Sequence, residues 1–281
     1  MTTAILARTN RALRVMEEAL GASGTKYHLL GKTGFWQQPE VKAAIAYLTL
    51  VLYPADYAIA GAIRAPFHPA KYLPKTKLLA RLKELQDGKE PSYWHLLAKE
   101  PHTLGETRNQ EAITSFTRFV YSLSRYRDQP SGVAVKSVLT LLQAFDYYAA
   151  EEDADNSPVD NLTDLVKIAA RHNTLKDFLD YCRRVTAASK SKKGVALGTI
   201  HSAKGLEFSR VFLIGCQEGL IPHAKSTDEA EERNLFFVAA SRPERDLVIT
   251  YAGRPSKFLT PFLKEQPCEI VPDHSLILGT K

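Results

Sequence analysis

The residues whose types and spacing could do chemistry are concentrated in one segment, Thr199-Ile200-His201-Ser202-Ala203-Lys204-Gly205-Leu206-Glu207-Phe208. It gathers two hydroxyls, an imidazole, an ammonium and a carboxylate directly after a short apolar run. A polar loop of these types at the end of a strand reads as a loop where a ligand site can form. Taken singly, His201 and Lys204 read as ordinary solvated loop residues; the set carries the signal. A second stretch, Glu231-Glu232-Arg233-Asn234-Leu235-Phe236-Phe237-Val238-Ala239-Ala240-Ser241-Arg242, ends a helical run on an arginine, whose planar fork suits phosphoryl oxygens. Gly31-Lys32-Thr33 imitates the end of a phosphate-cradling G-x-x-x-x-G-K-[ST] loop. The first glycine of that loop belongs at position 26, which is Lys26, and no helical pattern begins after Thr33, so a P-loop is not encoded here or elsewhere in the sequence.

These residues need a scaffold, and the chain supplies an alternating one at both ends. Residues 3–6 read as a strand, followed by a helix with Leu13, Met16 and Leu20 on one face, and residues 27–30 as a second strand. A helix over residues 39–52 starts at Pro39, with a further helical segment to about Arg64. From about 74 to 193 the periodicity is almost wholly helical, as in Leu78, Leu79, Leu82 and Leu85, or Phe116, Phe119, Val120 and Leu123. That region contains an acidic run (Glu151, Glu152, Asp153, Asp155), read as a solvated loop, and ends in a polar linker over residues 189–194. Strands at 195–200, 210–215 and 247–251 and a helix at 229–240 then resume the alternation. Neither flank has enough strands for a covered sheet, so the economical arrangement is one α/β domain interrupted by a helical insertion.

Composition narrows the class. The 281 residues carry 37 Lys+Arg against 31 Asp+Glu, a net charge of +6, with 44% hydrophobic and 24% charged residues, which is ordinary for globular chains. That charge is compatible with a polyanionic partner without requiring one. Three widely spaced cysteines, Cys182, Cys216 and Cys268, exclude a disulfide framework and a structural zinc site, and no metal site is expected. The N-terminus lacks the signal-peptide pattern. The longest uncharged apolar stretch, residues 43–55, contains Pro54 and is short of the roughly 20 residues of a membrane span. The expectation is a cytoplasmic protein without a membrane segment.

As an ordered set, the segment from Thr199 to Phe208, with Val211-Phe212-Leu213-Ile214-Gly215, Glu218-Gly219-Leu220-Ile221-Pro222 and the helix ending at Arg242, closely resembles motifs V and VI of the UvrD, PcrA and Rep group of superfamily 1 DNA helicases. Ala4-Ile5-Leu6-Ala7-Arg8-Thr9-Asn10 resembles motif IV. Tyr27-His28-Leu29-Leu30-Gly31 with Phe35-Trp36 and Glu40-Val41-Lys42 resembles motif IVa. Asp160-Asn161-Leu162-Thr163-Asp164-Leu165 and Phe178-Leu179 are similar to the point where that family's insertion returns to the motor. The similarity covers about residues 1–75 and 158–265.

The resemblance implies the C-terminal half of such a motor: a RecA-like parallel-sheet domain (2A) at 1–75 and 194–281, interrupted by an all-helical insertion (2B) at 76–193. The ATP-binding half, with P-loop lysine and Mg²⁺-binding acidic pair, would be a separate N-terminal 1A/1B portion, and a start just before motif IV suggests a truncated chain or a split gene. Carried over by position, Arg8 and Arg242 would both meet the γ-phosphate of ATP as catalytic arginines, and Glu207 would reach its ribose and triphosphate side. Thr199, His201 and Ser202 would face single-stranded DNA, and Phe35 and Trp36 would stack on bases or, equally, pack at a junction. Two positions depart from the family pattern. Ala7 stands where an aromatic is usual, and Pro243, after Arg242, where alanine is usual. The implied function is part of an ATP-dependent 3′-to-5′ DNA helicase or translocase, with DNA repair among the processes such motors serve. The rivals are a non-catalytic DNA-binding or partner-docking module, the motor part of a recombination helicase-nuclease, and a sheet-based small-molecule enzyme.

Overall fold

The structure is a computed structural model that describes residues 2–31, 34–86, 90–149, 157–188, 193–265, 269–271 and 275–278. Lys32, Thr33, the acidic run at 151–155, most of the 189–194 linker and Cys268 lie outside the described residues. The chain forms two compact units, residues 1–35 with 183–281, and residues 36–182.

The first unit is built on five parallel strands, β1 (Thr3–Ala7), β2 (Tyr27–Leu30), β3 (Val195–Thr199), β4 (Phe208–Leu213) and β5 (Pro243–Thr250), in the order β2-β3-β1-β4-β5. Two further strands, β6 (Glu269–Val271) and β7 (Ser275–Leu278), extend it, with β7 antiparallel to β5. β1 is central, pairing with β3 on one side and β4 on the other. Its apolar residues are therefore buried on both faces. Ala4 and Leu6 pack with Val211, Phe236 and Ala239 in one core, while Ile5 and Ala7 pack with Leu13, Tyr27 and Leu197 in the other. A strand covered on both sides reads as a continuous apolar run and not as an alternation, which is how residues 3–6 appear in the sequence.

Helix α1 (Asn10–Ala22) covers the second face. It begins where the Thr9 hydroxyl accepts the Ala12 N–H at 3.3 Å, satisfying one orphan donor of its first turn. The helix over residues 229–240 covers the opposite face. Asp228 caps it, and Glu229, Glu231 and Glu232 lie in its first turn, where acidic groups suit the helix dipole. The expected α/β domain with a parallel sheet and a helical interruption is thus what the chain forms.

The second unit contains helices α2 (Pro39–Leu52), α3 (Asp56–Arg64), α4 (Lys75–Leu85), α5 (Tyr93–Lys99), α6 (Thr107–Ser122), α7 (Ser131–Leu141), α8 (Ala144–Tyr148), α9 (Pro158–Ala169) and the first part of α10 (Leu175–Ala188); the helix at 229–240 is α11. Domain boundaries were expected near 75 and 194, whereas the compact units divide at 35/36 and 182/183. The reason is packing: α2 carries Tyr47, whose ring meets Phe67 at 6.1 Å and both Phe116 and Phe119 at 6.4 Å, so α2 shares its core with the helical segment. Two residues of the motif-like fragments meet there as well. The Asn161 amide donates to the buried Glu40 carboxylate at 2.6 Å, joining α9 to α2.

Candidate functional site

Parallel strands give the sheet two unlike edges, and the register decides which residue belongs to which. Ala7 is level with Thr199, so the carboxyl ends of β1 and β3 lie together. Thr3 is level with Arg210, and Phe208 with Pro243. The Phe208 N–H donates to the Arg242 carbonyl at 3.0 Å, which sets Arg242 at the amino edge beside the start of β4.

At the carboxyl edge, β3 ends in a tight turn. Thr199 Oγ1 accepts the Ser202 N–H at 3.3 Å, and Ser202 Oγ donates to the Thr199 carbonyl at 2.8 Å, folding residues 201–203 into a single 3₁₀ turn with His201 exposed. The two hydroxyls thus shape the loop as well as line it. Gly198 makes this possible: a Cβ there would lie 2.6 Å from both Leu30 Cβ and Ser202 Oγ, closer than side-chain carbons approach. Beside the turn is a cavity of about 360 Å³, whose polar lining comes from Asn10, Glu17, Thr199, His201 and Ser202.

Sequence reasoning missed Glu17. Its carboxyl is 2% exposed, Oε1 accepts the Phe35 N–H at 3.4 Å, and Oε2 has no hydrogen-bond partner among the described residues. Burial pushes its pKa up to about 7, against the pull of the Phe35 N–H and of Arg14 and with a push from Glu18. The signal was available, because Glu17 follows Leu13 by one helical turn on the apolar face of α1, where a carboxylate is out of place.

The amino edge holds Arg242 and Glu207. Arg242 is fixed by three bonds: Nε to the Val238 carbonyl at 2.9 Å, Nη1 to the Leu206 carbonyl at 3.1 Å, and Nη2 to Ser241 Oγ at 2.9 Å. Guanidinium has five N–H donors, so this cradle orients the fork and leaves donors for a ligand. Glu207, next to Leu206, is exposed. Pro243 does not displace the arginine, because it enters β5 as that strand's first residue, where proline is tolerated.

Arg8 is elsewhere. It follows β1 at the carboxyl edge, roughly 15 Å from the amino edge at about 3.3 Å per residue along the strand. In this structure the two arginines make separate contacts on the same helix, Arg8 with Glu232 and Arg242 with the Val238 carbonyl. Arg8 clasps Glu232 of α11. Nε lies 3.0 Å and Nη2 2.8 Å from Oε1, and Glu232 also accepts the His223 N–H at 2.9 Å. Glu232 is 1% exposed. Burial alone would raise its pKa, but the Arg8 fork and the His223 N–H outweigh that and hold it below the ordinary carboxylate value. In the sequence Glu232 was one of three acidic residues opening a helix, with nothing to mark the one turned inward.

Of the two readings given for Phe35 and Trp36, the structure shows packing. Both are buried, at 5% and 1% exposure. The Arg14 guanidinium lies 4.3 Å over the Phe35 ring, and Trp36 meets Tyr181 edge-on at 5.8 Å. Both rings are engaged in packing. Burial also pushes the Cys216 thiol up to about 12 and raises that of Cys182, which keeps both uncharged and unreactive. Among the described residues no group of His, Cys, Asp or Glu is arranged to hold a metal, and no helix is long and apolar enough to cross a membrane.

The UvrD-like helicase C-terminal domain matches residues 1–77 and 71–254. The chain belongs to that family. It is 30% identical over 275 residues to the ATP-dependent DNA helicase PcrA of Bacillus subtilis, covering 89% of this chain and 36% of that protein. Over 288 residues it is 28% identical to DNA helicase II of Escherichia coli, with 91% and 39% covered. The ATP-dependent DNA helicase Rep of Escherichia coli is 29% identical over 279 residues, with 88% and 39% covered. The chain thus spans well under half the length of these relatives, and as a UvrD-like C-terminal domain it corresponds to one portion of them.

Proposed function

We propose that this chain is the C-terminal motor portion of an ATP-dependent 3′-to-5′ DNA helicase or translocase acting on single-stranded DNA. The 3′-to-5′ direction comes from the family and not from the geometry. The observation that carries the reading is the separation of the two edges: Thr199, His201 and Ser202 at the carboxyl edge, Arg242 and Glu207 at the amino edge. A sheet with different ligands at opposite ends can turn a change at one into a displacement at the other. Its partner would be an N-terminal 1A/1B motor half carrying the P-loop, which this sequence lacks. ATP with Mg²⁺, bound mainly by that half, would supply the phosphoryl-transfer chemistry.

The contribution of this chain is positional. Arg242, held by two backbone carbonyls and a hydroxyl, can offer its remaining N–H donors to a γ-phosphate only when the partner half approaches the amino edge, which ties hydrolysis to closure. Glu207 faces the same approach and can accept hydrogen bonds from ribose hydroxyls. At the carboxyl edge, His201 and the backbone of the Thr199 turn fix a DNA strand through its sugar-phosphate backbone, without reading sequence. Arg8, with Glu232, ties the end of β1 to α11.

The test is ATP turnover by the purified chain, with and without single-stranded DNA, then with the N-terminal half added. Background turnover alone, restored on mixing and cut on the order of a thousandfold by Arg242→Ala, is the expected result. DNA-stimulated turnover by the chain alone would overturn the proposal.

A further inference from the structure

If the carboxyl edge binds single-stranded DNA as proposed, the cavity beside Thr199 must receive some part of the strand, and its chemistry decides which. The described lining contains no lysine or arginine, its walls include Leu13, Leu30 and Leu197, and Glu17 is set into it. Among the described residues a phosphate would meet no lysine or arginine there, and a carboxyl beside it. A flat, uncharged heterocycle suits apolar walls with a few convergent polar groups. At about 360 Å³ the cavity has room for a nucleobase.

Glu17 then sets the preference. One of its oxygens is occupied by the Phe35 N–H, while the other is buried and unpartnered among the described residues. A buried acceptor without a donor is costly, so a ligand that brings a donor is favoured over one that does not. We infer that the cavity takes a base of the bound strand, with Glu17 accepting a hydrogen bond from its exocyclic amino group, so that cytosine is preferred to thymine. Thymine offers only an imino N–H between two carbonyl oxygens, which an ionised carboxylate repels. This inference rests on the DNA-edge reading and adds a base preference that backbone contacts cannot produce.

The experiment is fluorescence anisotropy of the full chain with short labelled homo-oligomers of dC and dT at pH 8, where Glu17 is ionised and dC is unprotonated. Wild type should bind dC roughly three- to tenfold more tightly. Glu17→Gln, whose one oxygen is taken by the Phe35 N–H and which therefore turns an amide N–H₂ donor into the cavity, should lose the preference for dC, and Glu17→Leu should abolish it. Should Glu17→Leu not fold, N4,N4-dimethylcytosine oligomers remove the amino donor from the ligand instead, and wild type must bind them like dT. Equal binding of dC and dT by wild type, or a preference surviving Glu17→Leu or dimethylation, overturns the inference while leaving the DNA edge intact. Failure to bind either oligomer overturns the edge reading itself.

Discussion

Replacing Glu17 by glutamine should stabilise the protein above neutral pH and leave it unchanged in mild acid. In the folded chain the carboxyl titrates at about 7 against an ordinary value of 4.5. Between those values the folded state keeps a proton that the unfolded state has lost. Stability is therefore full below 4.5, falls as pH rises to about 7, and is flat beyond. At 1.36 kcal/mol per pH unit the loss is about 3 kcal/mol once the carboxyl is ionised. Glutamine has the same shape, keeps an oxygen for the Phe35 N–H and never ionises. Other titrating groups, including neighbouring Arg14 and Glu18, are common to both proteins and cancel in the difference. Thermal unfolding at pH 4.5, 6 and 8 reads it directly: equal midpoints at the lowest pH, and a mutant advantage on the order of 5 to 10 °C at pH 8. A constant difference between the two proteins across this range would refute the burial argument. A group that costs stability in this way and lines a cavity is what a binding function can retain.

Arg8→Ala should destabilise by about 3 to 5 kcal/mol in denaturant unfolding, because it strands the buried Glu232 charge; Arg8→Lys, which loses the paired geometry, should fall between. Gly198→Ala should weaken single-strand binding severalfold in an anisotropy titration, since its Cβ would press Leu30 and Ser202 from 2.6 Å and deform the turn. Trp36→Ala should lose about 3 to 5 kcal/mol of stability, read by chemical denaturation, while folded Trp36→Ala at low temperature keeps wild-type DNA affinity, as a packing residue requires.

Much of the architecture was legible in the sequence because it rests on local signals. The strand at residues 27–30, the helix opening on Pro39 and the acidic start of α11 follow from apolar runs, a first-turn proline and helix-cap chemistry, and the structure places them at Tyr27–Leu30, Pro39–Leu52 and Glu229–Ala240. Ownership of α2 was not legible. Its apolar surface, around Tyr47, reads the same whether it packs on a sheet or among helices, and only tertiary contact with Phe67 and Phe116 decides. The site shows the same division. The ordered run from Thr199 to Glu207 marks a candidate loop, but the loop crosses from one sheet edge to the other, and only strand register shows that Thr199 and Glu207 stand at different edges. Phe35 and Trp36 had two readings that sequence could not separate, and burial separates them.

The separation of ligands between the two sheet edges is tested most directly by titrating a labelled single-stranded oligonucleotide into wild type, His201→Ala and Arg242→Ala side by side, each confirmed folded. The account predicts that His201→Ala weakens binding about fivefold or more, as loss of one charge-assisted or neutral contact allows, and that Arg242→Ala binds as wild type does. Loss of DNA affinity in Arg242→Ala with His201→Ala unaffected would contradict it.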